Sequence, residues 1–213
     1  MPHLFSDADG ARAEDLVAGG HDVRVKQVHS AKVLTVAEPI AEPLPEADGL
    51  VTDRPGLVLS IVTADCAPIL LADGQARVIG AVHAGWRGAV AGIAQEAVAR
   101  MEALGAQRSR IRAAIGPCIA QASYEVDAPF REKFSADADH FFEPNGADRW
   151  LFDLPGFVAA RLAEAGVEAD ILSHDTYTER SGADWRFHSY RRATHRGEAT
   201  GGRQVSMIVL PPT

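Results

Sequence analysis

Three side chains in this sequence are of types that do chemistry and lie in stretches able to bring them together: His29, Cys66 and His83. Two imidazoles and one thiolate form a donor set suited to zinc. Three protein ligands leave a fourth position open for water or substrate. A zinc ion so held lowers the pKa of water to about 7 and polarises a leaving group. The separations between the three are not those of a finger or ribbon, so such a site would be assembled from separate strand ends. Cys66 and His83 read equally well as a nucleophile with its base, a Cys–His hydrolase arrangement in which Asp65 orients a histidine. Three packed core residues would leave the same pattern. Spacing alone leaves these readings open. Arg191 and Arg192, beside Tyr190, are of the type that grips phosphate or carboxylate, or they form a solvated surface pair. Arg87 follows Gly85-Trp86 at a predicted helix start, where backbone N–H groups attract anions.

The elements that must position Cys66 and His83 lie within residues 63–88. An apolar run at 68–71 and another at 77–82 flank Asp73-Gly74, a hairpin signal. With Gly74-Gln75 as the loop, Cys66 stands opposite His83. With Asp73-Gly74 as the loop, the two become diagonal neighbours, and both registers put them on one face. A three-residue loop or a bulge would put them on opposite faces. His29 comes from residues 21–30, where Val23, Val25, Gln27 and His29 alternate with Asp22, Arg24, Lys26 and Val28. That period of two predicts a strand with His29 leaning inward at its end.

Elsewhere, strands are expected at 32–36, 49–52, 57–63, 111–115, 150–152, 169–173 and 204–210. Residues 87–104 carry the clearest amphipathic helix, with Val90, Ile93, Ala94, Ala97, Val98, Met101 and Leu104 on one stripe and Gly105 as its stop. Asp127 and Asp153 are predicted caps for helices toward Phe134 and over 154–165. Residues 1–20 are poorly patterned, with a short helix at 11–18 the best that can be drawn. Residues 135–149 and 193–202 read as loops. Strands and helices mix without regular βαβ alternation, so the fold class is α+β.

Composition sets outer bounds. The chain has 213 residues, 46% hydrophobic, and a net charge of −8. That suffices for one sizeable core. An acidic chain without a basic run is a poor match for nucleic acid, and no apolar stretch approaches the roughly 20 residues of a membrane span. No signal-peptide pattern opens the chain, and two cysteines do not make a disulfide scaffold, so cytoplasmic residence is the expectation. Cys118 reads as a loop or buried thiol. His188 and His195 read as surface residues. The eight histidines include no His-x-His pair, so four-copper oxidation is not expected.

Six motifs occur together in order: Lys26-Gln-Val-His29-Ser30, Ala47-Asp-Gly-Leu-Val-Thr52, Thr63-Ala-Asp-Cys-Ala-Pro68, His83-Ala-Gly-Trp-Arg-Gly88, Gly116-Pro-Cys-Ile119 and Ser189-Tyr-Arg-Arg192. In this set the chain closely resembles the laccase-domain family, also called YfiH-like or polyphenol oxidoreductase-like. The resemblance implies one layered α/β/β/α sandwich of mixed sheets with flanking helices, spanning 1–213. It implies that His29, Cys66 and His83 are the metal-binding and active-site triad, with zinc as the metal and copper as the alternative. It implies phosphorolysis of purine nucleosides (adenosine, inosine, methylthioadenosine) with adenosine deamination; some members are connected with editing of peptidoglycan precursors. Nucleoside and phosphate are then the partners, and Gln27, Arg87, Arg191 and Arg192 the substrate-binding candidates. A hydrolase acting on an amide or peptidoglycan precursor through Cys66, and a metal-binding homologue without turnover, remain the alternatives. Two departures stand out: only about 23 residues precede the matching region, and Asp175 stands where the family often carries a cysteine.

Overall fold

The core begins with two runs that are apolar on both faces. In the computed structural model, which describes residues 1–212, these are β6 (Ala67–Asp73) and β7 (Val78–Ala84), and nearly every residue in them is buried. Strands so enclosed belong in the middle of a sheet covered on both sides. The others are β1 (His3–Phe5), β2 (His21–Val23), β3 (Val33–Thr35), β4 (Gly49–Thr52), β5 (Leu57–Thr63), β8 (Arg112–Ile115), β9 (Glu125–Asp127), β10 (Phe142–Pro144), β11 (Arg149–Phe152), β12 (Glu168–Ile171), the two-residue β13 (Arg180–Ser181) and β14 (Asp184–Trp185), and β15 (Gln204–Val209). The helices are α1 (Trp86–Val90), α2 (Ile93–Ala103), α3 (Ala128–Arg131), α4 (Leu154–Glu164) and α5 (Tyr190–Arg196). The predicted single unit 1–213 extends one residue beyond those described.

A six-stranded mixed sheet runs β12-β8-β6-β7-β4-β3, and a four-stranded one runs β1-β15-β5-β2. Alternation along each strand sorts side chains between layers. Ile69 and Leu71 face a core shared with Ile93, Val98 and Met101 of α2 and Val158 and Leu162 of α4. Leu70 and Ile79 point the other way, toward Leu57, Leu59 and Ile61 of the smaller sheet. Val58, Met207 and Val209 face outward beneath Leu16 and Val17 of the N-terminal segment. The layers are therefore helix, sheet, sheet and a thin outer cover whose helical content is one 3₁₀ turn, Ala13–Asp15. Among the described residues, no helix is long and apolar enough to cross a membrane.

Several expectations need correction. The strand predicted over 21–30 ends at Val23; beyond it one isolated bridge, Lys26 to Glu46, keeps the segment extended. The single helix predicted over 87–104 is two helices, because Gly92 adopts φ +89 between them. That left-handed conformation suits glycine and breaks the α-helical path. Val90 consequently leaves the stripe and is exposed. The N-terminal segment supplies β1, antiparallel to β15, a pairing distant in sequence that local patterning does not reveal. The predicted loop 135–149 contains the 3₁₀ helix Ala136–Phe141 and β10. The start of the predicted loop 193–202 is the end of α5. Both cysteines are free thiols.

The β6–β7 loop has four residues, 74–77, since Asp73 pairs with Val78. Buried Asp73 ties it down: its carboxylate accepts from the N–H groups of Gln75, Ala76 and Gln107 and is paired with Arg110 at 3.0 Å. Burial alone would raise its pKa, but these donors bring it down to about 2. Because the folded pKa is depressed, this stabilisation is fully present above the ordinary carboxylate range and is lost as pH falls from about 4 toward 2. Asp73→Ala is expected to cost roughly 2–4 kcal/mol at pH 7, since it strands a cation and three N–H donors, and much less at pH 2.5. Urea denaturation at the two pH values measures this.

Candidate metal centre

The site is built where β4, β6 and β7 end together. Pro68 pairs with His83 and Ala67 with Ala84, so Cys66, one residue before β6, lies diagonal to His83 on the same face. The four-residue loop preserves the parity that makes this possible. His29 does not arrive from a strand end. It sits in a turn with φ +61, a conformation rare for a non-glycine residue and maintained only where surroundings enforce it.

What enforces it is Asp48, fully buried at the start of β4. Its carboxylate accepts three successive backbone N–H groups: Val28 at 3.1 Å, His29 at 2.8 Å and Ser30 at 2.6 Å. The Ser30 hydroxyl donates to it at 2.7 Å. Converging N–H groups of this kind form an anion nest, here filled by an internal carboxylate. The same carboxylate lies 2.8 Å from His83 Nδ1, and the Asp48 carbonyl accepts the His83 N–H at 2.7 Å. Asp48 thus bends the His29 segment and fixes the His83 ring. Sequence reasoning gave Asp48 no role, although Ala47-Asp48-Gly49 lay inside a quoted motif. An aspartate opening an otherwise apolar strand was the available signal.

With Nδ1 held by Asp48, the Nε2 of His83 is the atom left to bind. One donor atom from each of His29, Cys66 and His83 lies within 4.8 Å of the others. Cys66 Sγ is 3.8 Å from His29 Nε2; tetrahedral zinc with ordinary Zn–S and Zn–N bonds puts such atoms roughly 3.6 Å apart. The imidazoles meet edge to face, 4.7 Å between centroids. Gly85 leaves them room: a Cβ there would stand 2.9 Å from His29 Cδ2 and 3.0 Å from Cys66 Sγ. The residues fit a single metal ion with one open position, and the Asp48–His83 contact is the carboxylate support that metal-ligating histidines ordinarily have. Among the described residues this is the one His/Cys/carboxylate cluster of its kind.

The electrostatics point the same way. Burial opposes ionisation of Cys66, but hydrogen bonds from His29 and His83, with their charges, outweigh it and bring the thiol down to about 7. Burial also opposes charge on His83, and Asp48 and Cys66 outweigh it, raising the imidazole to about 9. Asp48 itself is buried, which alone would raise its pKa, yet His83, Ser30 and His29 hold it well below the carboxylate range. Cys118 is the contrast: burial, then the nearby carboxylate of Asp153 and the Cys66 sulfur, push its thiol far up.

A cavity of about 610 Å³ opens over the three donors, a size typical of small-molecule sites. Gln27, Arg87 and Arg191 line it together with Trp86, Tyr124, Tyr190 and Arg203. The Gln27 amide is committed to the backbone of Val62 at 2.8 Å in both directions. Arg87 is exposed in the first turn of α1, its guanidinium 4.7 Å from the Trp86 ring centre. Arg191 donates to the Glu125 carbonyl and lies over Tyr124. Arg192 does not line the cavity. It is buried, and its guanidinium donates to the carbonyls of Thr176, Tyr177 and Phe187. Asp65, φ +82, orients no histidine; its carboxylate accepts from the Thr176 hydroxyl and the Arg191 N–H. Arg203, from the loop before β15, is a cavity residue that sequence reasoning passed over.

In metal-free protein, iodoacetamide is expected to label Cys66 with a midpoint near pH 7. The rate rises through that pH because the thiolate is the nucleophile, and Cys118 stays unlabelled. Asp48→Asn is expected to move the midpoint upward, since His83 loses the carboxylate that keeps it cationic. The same change is expected to weaken zinc binding roughly 10–100-fold, measured by competition with a chromophoric chelator.

Residues 11–211 match the family model described as multi-copper polyphenol oxidoreductase laccase. A purine nucleoside phosphorylase of Rickettsia conorii is 38% identical over 192 residues, covering 87% of this chain and 77% of that protein. A purine nucleoside phosphorylase of Deinococcus radiodurans is 42% identical over 188 residues, covering 88% and 70%. Among solved structures, the Bacillus licheniformis hypothetical protein YfiH superposes with a TM-score of 0.79 at 30% identity, covering 89% of this chain and 74% of that one. The family-model match over residues 11–211, the identities and the superposition agree: the chain belongs to the multi-copper polyphenol oxidoreductase laccase family of YfiH-like proteins.

Proposed function

We propose that this protein is a zinc-dependent purine nucleoside phosphorylase acting on adenosine, inosine and methylthioadenosine, with adenosine deaminase activity at the same centre. The observation that carries the metal part is the convergence of His29, Cys66 and His83 beneath an open cavity. The substrate class rests on relatives named purine nucleoside phosphorylase. One three-donor cluster suits one ion, which supports this reading over four-copper oxidation. Copper remains the alternative metal for a site with two imidazoles and a thiolate.

When bound, zinc supplies Lewis-acid polarisation and lowers the pKa of water to about 7. The chain's own residues do the rest. Asp48 holds His83 as the Nδ1–H tautomer, so that Nε2 presents its lone pair to the centre. Arg87 and Arg191, which line the cavity, receive the phosphate in this reading, since pairs of phosphate oxygens match a guanidinium fork. Gln27 serves as cavity wall through its bonds to Val62, which fix the floor beside His29. Arg192 serves by fastening α5, not by touching substrate. In phosphorolysis the phosphate oxygen bonds to the ribose C1′ as the bond to the purine nitrogen breaks, and the base leaves with a proton. In deamination water supplies the oxygen that replaces the amino group, which leaves as ammonia.

One observation favours a second reading. A thiol brought down to about 7 with an imidazole nitrogen at 3.8 Å is an activated nucleophile, as a Cys–His hydrolase of amides or peptidoglycan precursors requires. A ligated thiolate would be blunted, so the two readings diverge on metal removal.

Incubation with adenosine and inosine, with and without phosphate, followed by chromatography, tests the proposal. Hypoxanthine or adenine with ribose 1-phosphate is expected only when phosphate is present, and inosine from adenosine in either case. Cys66→Ala and chelation are each expected to lower both activities at least 100-fold. Phosphate-independent turnover of an amide that survives chelation would establish the hydrolase instead. About one equivalent of zinc is expected by elemental analysis.

A further inference from the structure

The chain has three tyrosines, and two have partners for their rings. Tyr124 packs edge-on against Phe130 and Phe152 and carries Arg191 over its face. Tyr177 meets the His195 ring and hydrogen-bonds its Nδ1 at 3.0 Å. Tyr190 is different. It lines the cavity over the metal donors, and at 54% it is the most exposed large hydrophobic side chain among the described residues. Among those residues its ring has no aromatic or guanidinium neighbour, and its hydroxyl has no protein partner.

Its backbone, in contrast, is fastened from both sides. Tyr190 is the first residue of α5, whose cap Ser189 accepts the Arg192 N–H at 3.1 Å. The next N–H, that of Arg191, donates to Asp65 at 2.6 Å, and Asp65 directly precedes Cys66. The Tyr190 carbonyl accepts from Thr194 Oγ at 2.8 Å. The buried Arg192 guanidinium anchors the same turn to three carbonyls. A half-exposed flat ring without aromatic or guanidinium neighbours, on a backbone tied to the residue beside Cys66, is a stacking surface held at the cavity. Every nucleobase has a π-face that such a ring can meet, and a tyrosine has only two side-chain torsions to order on stacking.

We propose that Tyr190 is the platform on which the nucleobase of the substrate stacks, and that Asp65, through the Arg191 N–H, sets its position relative to Cys66. This deepens the nucleoside reading and rests on it for the identity of the ligand. The base lies against the Tyr190 ring in the cavity that the three donors also line, with the phosphate toward Arg87. The hydroxyl takes no part, so the ring alone matters.

Equilibrium titration of zinc-loaded protein with 2-aminopurine riboside, followed by fluorescence quenching, tests this without turnover. Tyr190→Ala is expected to raise Kd roughly tenfold, and Tyr190→Phe to leave it within twofold. An unchanged Kd in Tyr190→Ala, an equal loss in Tyr190→Phe, or no binding by the unmodified protein would each overturn the proposal. Binding that depends on the ring in a protein that converts no nucleoside would overturn the phosphorylase reading and leave this one standing.

Discussion

The site depends on one buried carboxylate. Asp48 is solvated entirely by the protein: three consecutive N–H groups, one hydroxyl and one imidazole replace the water it gave up. Burying a carboxylate is costly unless such partners are complete. The partners come from two separate segments, so satisfying the charge also defines how those segments lie. The turn carrying His29 is bent into the left-handed region because its N–H groups must converge on one point. The His83 ring is held because the same charge takes its Nδ1.

Around that charge the scaffold divides its work. The β6–β7 hairpin, enclosed on both faces, places Cys66 and His83 on one face by strand parity. Asp73 pins the far end of the hairpin, and Asp65 pins the near end to α5. Three aspartates, each with its charge met by protein donors, thus hold the loop, the centre and the cavity wall. The arginines follow a similar division. Arg192 is consumed by backbone carbonyls, while Arg87, Arg191 and Arg203 line the cavity.

Much of this was legible before the structure. The hairpin showed in its two apolar runs, but neither expected two-residue loop forms; Cys66 and His83 share a face because the four-residue loop happens to keep the same parity. Asp127 and Asp153 announced the caps they form, accepting from the Phe130 and Gly156 N–H groups. The stripe Ile93, Ala94, Ala97, Val98, Met101 is the buried face of α2. What failed to show shares a cause. β1 pairs with β15 across nearly the whole chain, α5 is polar and owes its start to Ser189 and Asp65, and the 135–149 segment is ordered around an aromatic cluster centred on Phe134 and Phe152. The β1–β15 pairing and the Asp65–Arg191 bond join residues remote in sequence, and the aromatic cluster shows only once its rings have packed.

By itself the sequence indicated a mixture of strands and helices and the central hairpin, because periodicity is a local property that needs no neighbour to be read; residue chemistry and spacing left the role of His29, Cys66 and His83 open, and the six motifs taken together singled them out. Only the tertiary structure decided that Asp48 organises those donors, that His29 reaches them from a strained turn, and that Arg192 is a buried brace while Arg203 faces the cavity. A charge reveals its role through what surrounds it, and that surrounding exists only once distant segments have packed.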